Sequence, residues 1–309
     1  MAEAVTFHIG YHKTGTTFLQ RAVFVPGFGF NSLMSHDDVA RFITDPDRLD
    51  FSPREARAQI ARRMAGSNLA PVVSSEMLCG NPYDGSREAA DFAHRIHEIA
   101  PDARILITIR EQKSSIKSTY MQYIHRGGTL PIERFLQPKY EIDFHYFSVR
   151  RFFYDRLVAH YMDLFGARNV LVVAQEEVIA DARAALRRIL AFAGADPSLA
   201  DDRDIPGRVW ESPPEAAAPL LRHINKFRRG AVKPEVAVNL GPLARTAYRG
   251  TSYVARRPGV KRWLKSVRPV SGRVSRFHGT GFAESNARLQ ALIGDDLDLS
   301  AYGYEMPPA

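Results

Sequence analysis

Between Ile9 and Phe18 the chain reads Gly10-Tyr11-His12-Lys13-Thr14-Gly15-Thr16-Thr17, a run whose residue types suit an anion. Two glycines let the backbone turn tightly, so successive N–H groups can point inward at the start of a following helix. With the threonine hydroxyls they would make a phosphate site. Gly10 and Gly15 have the spacing of the nucleotide-triphosphate loop Gly-x-x-x-x-Gly-Lys-Ser/Thr, but Thr16 stands where the lysine belongs and Lys13 lies inside the loop. A Mg-dependent kinase or triphosphatase would therefore lack its lysine. The plainer alternative is a glycine-rich turn that binds nothing.

Two further groups can join that chemistry. Arg110 follows the apolar run Ile107-Thr108-Ile109, and Ser118 comes eight residues later on a segment of helical pattern. An Arg fork and a facing hydroxyl can hold a terminal phosphate by charge-assisted bonds, although an Arg before a Ser-rich helix start also serves as plain capping. Glu76, after Val72-Val73-Ser74-Ser75, is a candidate general base for a hydroxyl nucleophile; as an alternative it is an exposed loop acid or a partner for Lys13. His12 competes for the role because it adjoins Lys13, whereas His94 and His97 lie on an amphipathic helix and read as surface residues.

The elements that must position these groups alternate. Strands are expected at 5–10, 71–75, 103–109 and 169–174, and helices at 15–24, 54–65, 86–100, 112–125, 144–165, 182–193 and 283–293. Continuous apolar strands between helices predict an α/β fold with a central parallel sheet covered on both faces, a three-layer sandwich. Ligands in such sheets sit at the carboxyl ends of the strands, which is where Lys13, Glu76 and Arg110 fall.

The 309 residues carry a formal charge of +8, unevenly spread. Residues 221–283 hold 15 basic side chains against Glu235 alone, which is +14 and leaves −6 for the remainder. Many prolines and this charge mark 221–276 as a basic lid or subdomain with short helices, between a core at 1–220 and a C-terminal helix at 277–309 that returns to the core. A basic segment suits a polyanion, an anionic membrane surface or nucleic acid, and equally a solvated face. No nucleic-acid recognition motif is present, so nucleic acid is not expected. Cys79 is the single cysteine, which excludes a disulfide framework and a cysteine-based zinc site, and no metal is expected. With no apolar run of membrane-spanning length and no signal pattern, the expectation is a soluble, cytoplasmic protein of bacterial type.

Lys13-Thr14-Gly15-Thr16-Thr17 after a first strand resembles the 5′-phosphosulfate loop of the sulfotransferases that use 3′-phosphoadenosine-5′-phosphosulfate (PAPS). Arg110 with Ser118 is similar to that family's second signature. Phe165-Gly166 through Glu176-Glu177 and the segment from Ser285 to Tyr304 are similar to later parts of the family, closest to its bacterial carbohydrate-type members. Gln175 departs from the family's usual tyrosine. The resemblance implies a P-loop-like fold and an O-sulfotransferase that uses PAPS and releases 3′,5′-bisphosphoadenosine. It implies that the loop from Lys13 to Thr17 holds the 5′-phosphate, that Lys13 acts on the bridging oxygen, and that Arg110 and Ser118 hold the 3′-phosphate. It implies Glu76 as base, with His12 as the rival. Arg228-Arg229-Gly230 resembles the segment that closes over the 3′-phosphate in cytosolic members. The implied acceptor is a carbohydrate or lipid-linked glycan, handled from the cytoplasm or from the inner face of a membrane. A P-loop kinase and a non-catalytic polyanion-binding protein on the same fold are the alternatives.

Overall fold

Short runs rich in Val, Ile and Phe, bounded by glycine and polar turns, can bury both of their faces only between two layers of helix. That is the arrangement in the computed structural model, which describes residues 4–137, 147–205, 213–264, 266–278 and 281–308, without the side chains of Phe277 and His278. Residues 144–146, the start of an expected helix, lie outside the described residues. In chain order the elements are β1 (Thr6–His8), α1 (Thr16–Phe18), β2 (Phe30–Met34), α2 (His36–Val39), α3 (Pro53–Met64), β3 (Ala70–Ser74), α4 (Ala89–Ile99), β4 (Arg104–Ile109), α5 (Gln112–His125) and α6 (Ile132–Leu136). There follow α7 (Tyr154–Phe165), β5 (Val170–Ala174), α8 (Gln175–Ala180), α9 (Ala182–Ala193), α10 (Leu199–Asp202), α11 (Ala218–Asn225), α12 (Gly241–Arg256), α13 (Pro258–Leu264), α14 (Ser271–His278) and α15 (Ala283–Ile293).

The five strands form one all-parallel sheet in the order β2-β3-β1-β4-β5. β1 is central, with His8 opposite Ser74 of β3 on one side and Leu106 of β4 on the other. The chain leaves β1 toward β3 and later returns to β4, so the crevice outside the end of β1 is where the strand order switches direction. The sheet separates two apolar cores. Phe7, Val73, Ile105 and Ile107 pack on one side, while Val72, Leu106 and Val173 meet Leu19, Val23, Leu186 and Ile189 on the other. The three-layer expectation holds.

Differences from the sequence-based expectation have local causes. β2 has no clear sequence signal, because Asn31 and Ser32 interrupt its apolar pattern; it is an edge strand, with a register shift against β3. The helix expected at 15–24 has only three α-helical residues before it widens into a π turn at Leu19–Val23. In the segment that leads to Phe165, Ser148 caps a 3-10 turn at Val149–Phe152, and the α-helix starts only at Tyr154. Within the basic segment α12 runs for 16 residues, longer than expected, because Pro242 sits in its first turn and Pro258 follows its last, so prolines bound this helix without breaking it.

Candidate active site

The loop after β1 turns into α1 by two residues of positive φ, Gly15 at 93° and, unusually for a residue with a side chain, Lys13 at 70°. Three contacts hold this shape. Thr14 gives both its amide (3.3 Å) and its hydroxyl (2.6 Å) to the Tyr11 carbonyl, and an Arg110 Nη1–H donates to the Lys13 carbonyl at 3.2 Å. Gly10 is required for close approach: a Cβ there would lie 2.1 Å from Thr16 Cγ2 and 2.7 Å from Thr108 Oγ1. Gly15 caps α1 without a side-chain acceptor for the N–H groups of the first turn.

A cleft of about 1010 Å³ opens at this edge of the sheet. Its lining includes His12, Lys13, Thr14, Gly15, Thr16 and Thr17 from the loop, Glu76 from the turn after β3, Arg110 from just past β4 and Ser118 from α5. These expected site residues therefore meet in one place. Arg228, Arg229 and Gly230 do not line the cleft. Arg228 donates to the His125 carbonyl at 2.9 Å and stacks 4.2 Å from the Tyr248 ring centre, and Gly230 packs its backbone against Arg126 and Gly127. That segment is fastened to the far end of α5, seven or more residues beyond Ser118.

The two candidate bases sit in different environments. Glu76 is half-buried at the start of a 3-10 turn capped by Ser75. His12 has its Nδ1 3.6 Å from the Cys79 sulfur, and burial, then the charges of Arg151 and Arg126, hold its pKa well below the ordinary histidine value. Its imidazole is neutral at pH 7 but resists the proton that a base must accept. Burial raises the Cys79 thiol, which donates to the Glu76 carbonyl at 3.0 Å.

Several cleft residues escape a reading of the sequence alone. Arg21, Lys117 and Lys261 add positive charge, Gln175 closes the side beside Gly15, and Thr108 lies beneath the loop. Lys117 and Gln175 have a readable signal, one its place beside Ser118 on α5 and the other the first residue after β5. Lys261 has none, because only the folding of the basic segment brings α13 to the cleft. Five cations then face two acids, Glu76 and Glu215. Glu215 is already engaged by the Val270 and Ser271 amides and the Ser271 hydroxyl.

The profile of the sulfotransferase family matches residues 25–199. The chain belongs to that family. The matched span holds Glu76, Arg110 and Ser118; the loop at 10–17 precedes it and the basic segment follows it. A sulfotransferase from Alicyclobacillus acidocaldarius is similar in structure, at 20% identity over 98% of this chain and 99% of that one, with a TM-score of 0.52. The sulfotransferase domain from the curacin biosynthetic pathway matches at 10% identity over 81% and 98%, with a TM-score of 0.39. A mouse sulfotransferase complexed with PAP matches at 15% identity over 90% of each chain, with a TM-score of 0.32. No curated protein sequence matches significantly. The Alicyclobacillus structure shares the fold of this sulfotransferase.

Proposed function

We propose that this sulfotransferase moves the sulfuryl group of PAPS to a hydroxyl of a carbohydrate or lipid-linked glycan, releasing 3′,5′-bisphosphoadenosine. The observation that carries the reading is that Lys13, Gly15, Thr16, Thr17, Arg110, Ser118 and Glu76 line one cleft. PAPS, when bound, supplies a sulfuryl group on a phosphate leaving group. The lining fits such a molecule: five cations suit its phosphates, and Phe18, Val173 and Ile179 offer an apolar wall for a flat base.

In this reading Glu76 takes the proton of the acceptor hydroxyl as its oxygen bonds to sulfur, and the bond from sulfur to the bridging oxygen breaks in line. Lys13 and the loop amides neutralise the charge that grows on that oxygen. Arg110 and Ser118 hold the 3′-phosphate. The environment of His12 favours Glu76 as the base, since a proton on His12 would stand beside Arg151 and Arg126. A kinase reading is disfavoured because Thr16 turns its methyl inward against Gly10, where a nucleotide-triphosphate loop would carry lysine.

For the acceptor, the support is electrostatic. Arg245, Arg249 and Arg256 are exposed at helical spacing along one face of α12, and Lys261 reaches the cleft. They suit the anionic groups of a glycan or of the membrane surface that presents it, with the enzyme in the cytoplasm or at the inner face. No described helix is long and apolar enough to cross a membrane.

The test is transfer of labelled sulfate from PAPS onto a glycan panel, with bisphosphoadenosine binding measured in parallel. Lys13→Ala should lower transfer by about 10²–10³-fold. Glu76→Gln should lower it by about 10²-fold or more while still binding bisphosphoadenosine. Full transfer by Glu76→Gln would remove it as base. Tight binding of Mg-ATP with none of bisphosphoadenosine would replace the reading with the kinase.

A further inference from the structure

His8 lies in the middle of the sheet, wholly buried, and no step above uses it. From β1 it reaches both flanking strands: Nδ1 lies 2.7 Å from Ser74 Oγ of β3, and Nε2 lies 3.1 Å from Thr108 Oγ1 of β4. Thr108 Oγ1 is in turn 2.8 Å from Thr14 Oγ1, and the Thr14 hydroxyl donates to the Tyr11 carbonyl. The direction of this chain follows by elimination. Because the Thr14 proton is committed to Tyr11, the Thr108 hydroxyl must donate to Thr14. Thr108 then accepts from His8, which must carry its proton on Nε2, and Nδ1 accepts from the Ser74 hydroxyl. All four side chains are buried, and burial pushes the His8 pKa down to about 3, so the imidazole stays neutral and keeps one donor and one acceptor.

We infer that His8 is a positioning residue that fixes the phosphate loop, as the Nε2–H tautomer, through Thr108 and Thr14. The loop needs such a clamp because Lys13 sits in the left-handed region, which a side-chain-bearing residue occupies at a cost unless its surroundings hold it there. A neutral imidazole suits this position, because across β1 it accepts on one edge and donates on the other without bringing a charge beneath the loop's anion site. Thr14 on this view supports the loop and has no proton left for a ligand. The inference rests on the phosphate-binding reading of the loop, and its test separates the two.

The test uses the whole chain, with 3′,5′-bisphosphoadenosine as probe. Thr108→Val keeps shape but breaks the relay. It should weaken binding by about tenfold, the size of one buried hydrogen bond left unmade. It should also speed amide exchange in the loop while leaving α15 unchanged. His8→Gln, which can still donate toward Thr108, should bind within about threefold of wild type, and His8→Leu should match Thr108→Val. Nitrogen-15 spectra of the wild type should show a protonated Nε2 and a bare Nδ1 from pH 8 down to pH 5. Binding and loop exchange unchanged in Thr108→Val, exchange faster in α15 as much as in the loop, or a His8 that titrates near pH 6.5 would each overturn the relay. Wild type that ignores bisphosphoadenosine would overturn the proposed function instead, while the exchange and spectral measurements still decide the relay.

Discussion

Lowering the pH from 7.5 to 5.0 loads a proton onto the unfolded form of His8 that the folded form refuses. The folded imidazole is wholly buried and its pKa lies at about 3, against about 6.5 in an unfolded chain. Above pH 6.5 both states are neutral at this site and its contribution is complete. As the pH falls below 6.5 only the unfolded state binds the proton, so stability drains away until the folded pKa is reached. At pH 5.0 the unfolded histidine is about 1.5 units below its pKa, and at about 1.4 kcal/mol per unit the loss is about 2 kcal/mol. That is a sizeable share of the roughly 5–15 kcal/mol that holds a typical domain together. His12, held low by burial and by Arg151, adds to the loss in the same direction. The assay is urea unfolding at the two pH values for wild type and His8→Gln, since glutamine cannot titrate and His12 is common to both. Wild type should lose about 2 kcal/mol more than the variant over this interval. Equal losses in the two proteins would refute the claim that His8 is buried neutral.

Other outcomes follow from the same geometry. Gly10→Ala should cost about 1–3 kcal/mol in urea unfolding and impair bisphosphoadenosine binding, because the new methyl would lie 2.1 Å from Thr16 Cγ2. Changing Arg245 and Arg249 to Glu should raise the KM for an anionic glycan several-fold and flatten its salt dependence, with the KM for a small neutral alcohol unchanged. Cys79, buried with its thiol pKa raised, should resist alkylation at pH 7.5 in the folded protein and react fully in urea, as read by mass spectrometry.

Much of the candidate site was legible because its parts lie at strand ends. Lys13, Glu76 and Arg110 each follow an apolar run, and a parallel sheet brings every such position to one edge whatever the strand order. Ser118 was legible because one α5 face follows from helical spacing. Arg228-Arg229-Gly230 lies outside the cleft for the opposite reason. A three-residue match in an Arg-rich stretch says nothing of where that stretch docks, and Asn225, which donates to the Ile124 and Gly128 carbonyls, fastens it to the far end of α5. The edge strand β2 was hidden by its own polar residues.

By itself the sequence determined the α/β class, the glycine-bounded loop at 10–17 and the separation of a nearly neutral body from one basic segment, since each depends on residues close together in the chain. Only the tertiary structure decided that His8, 66 residues from Ser74 and 100 from Thr108, spans the sheet beneath the loop. It alone set the low proton affinity of His12 and brought Lys261 to the cleft. Such contacts depend on strand register and on which helices cover the sheet edge, and no spacing along the chain encodes either.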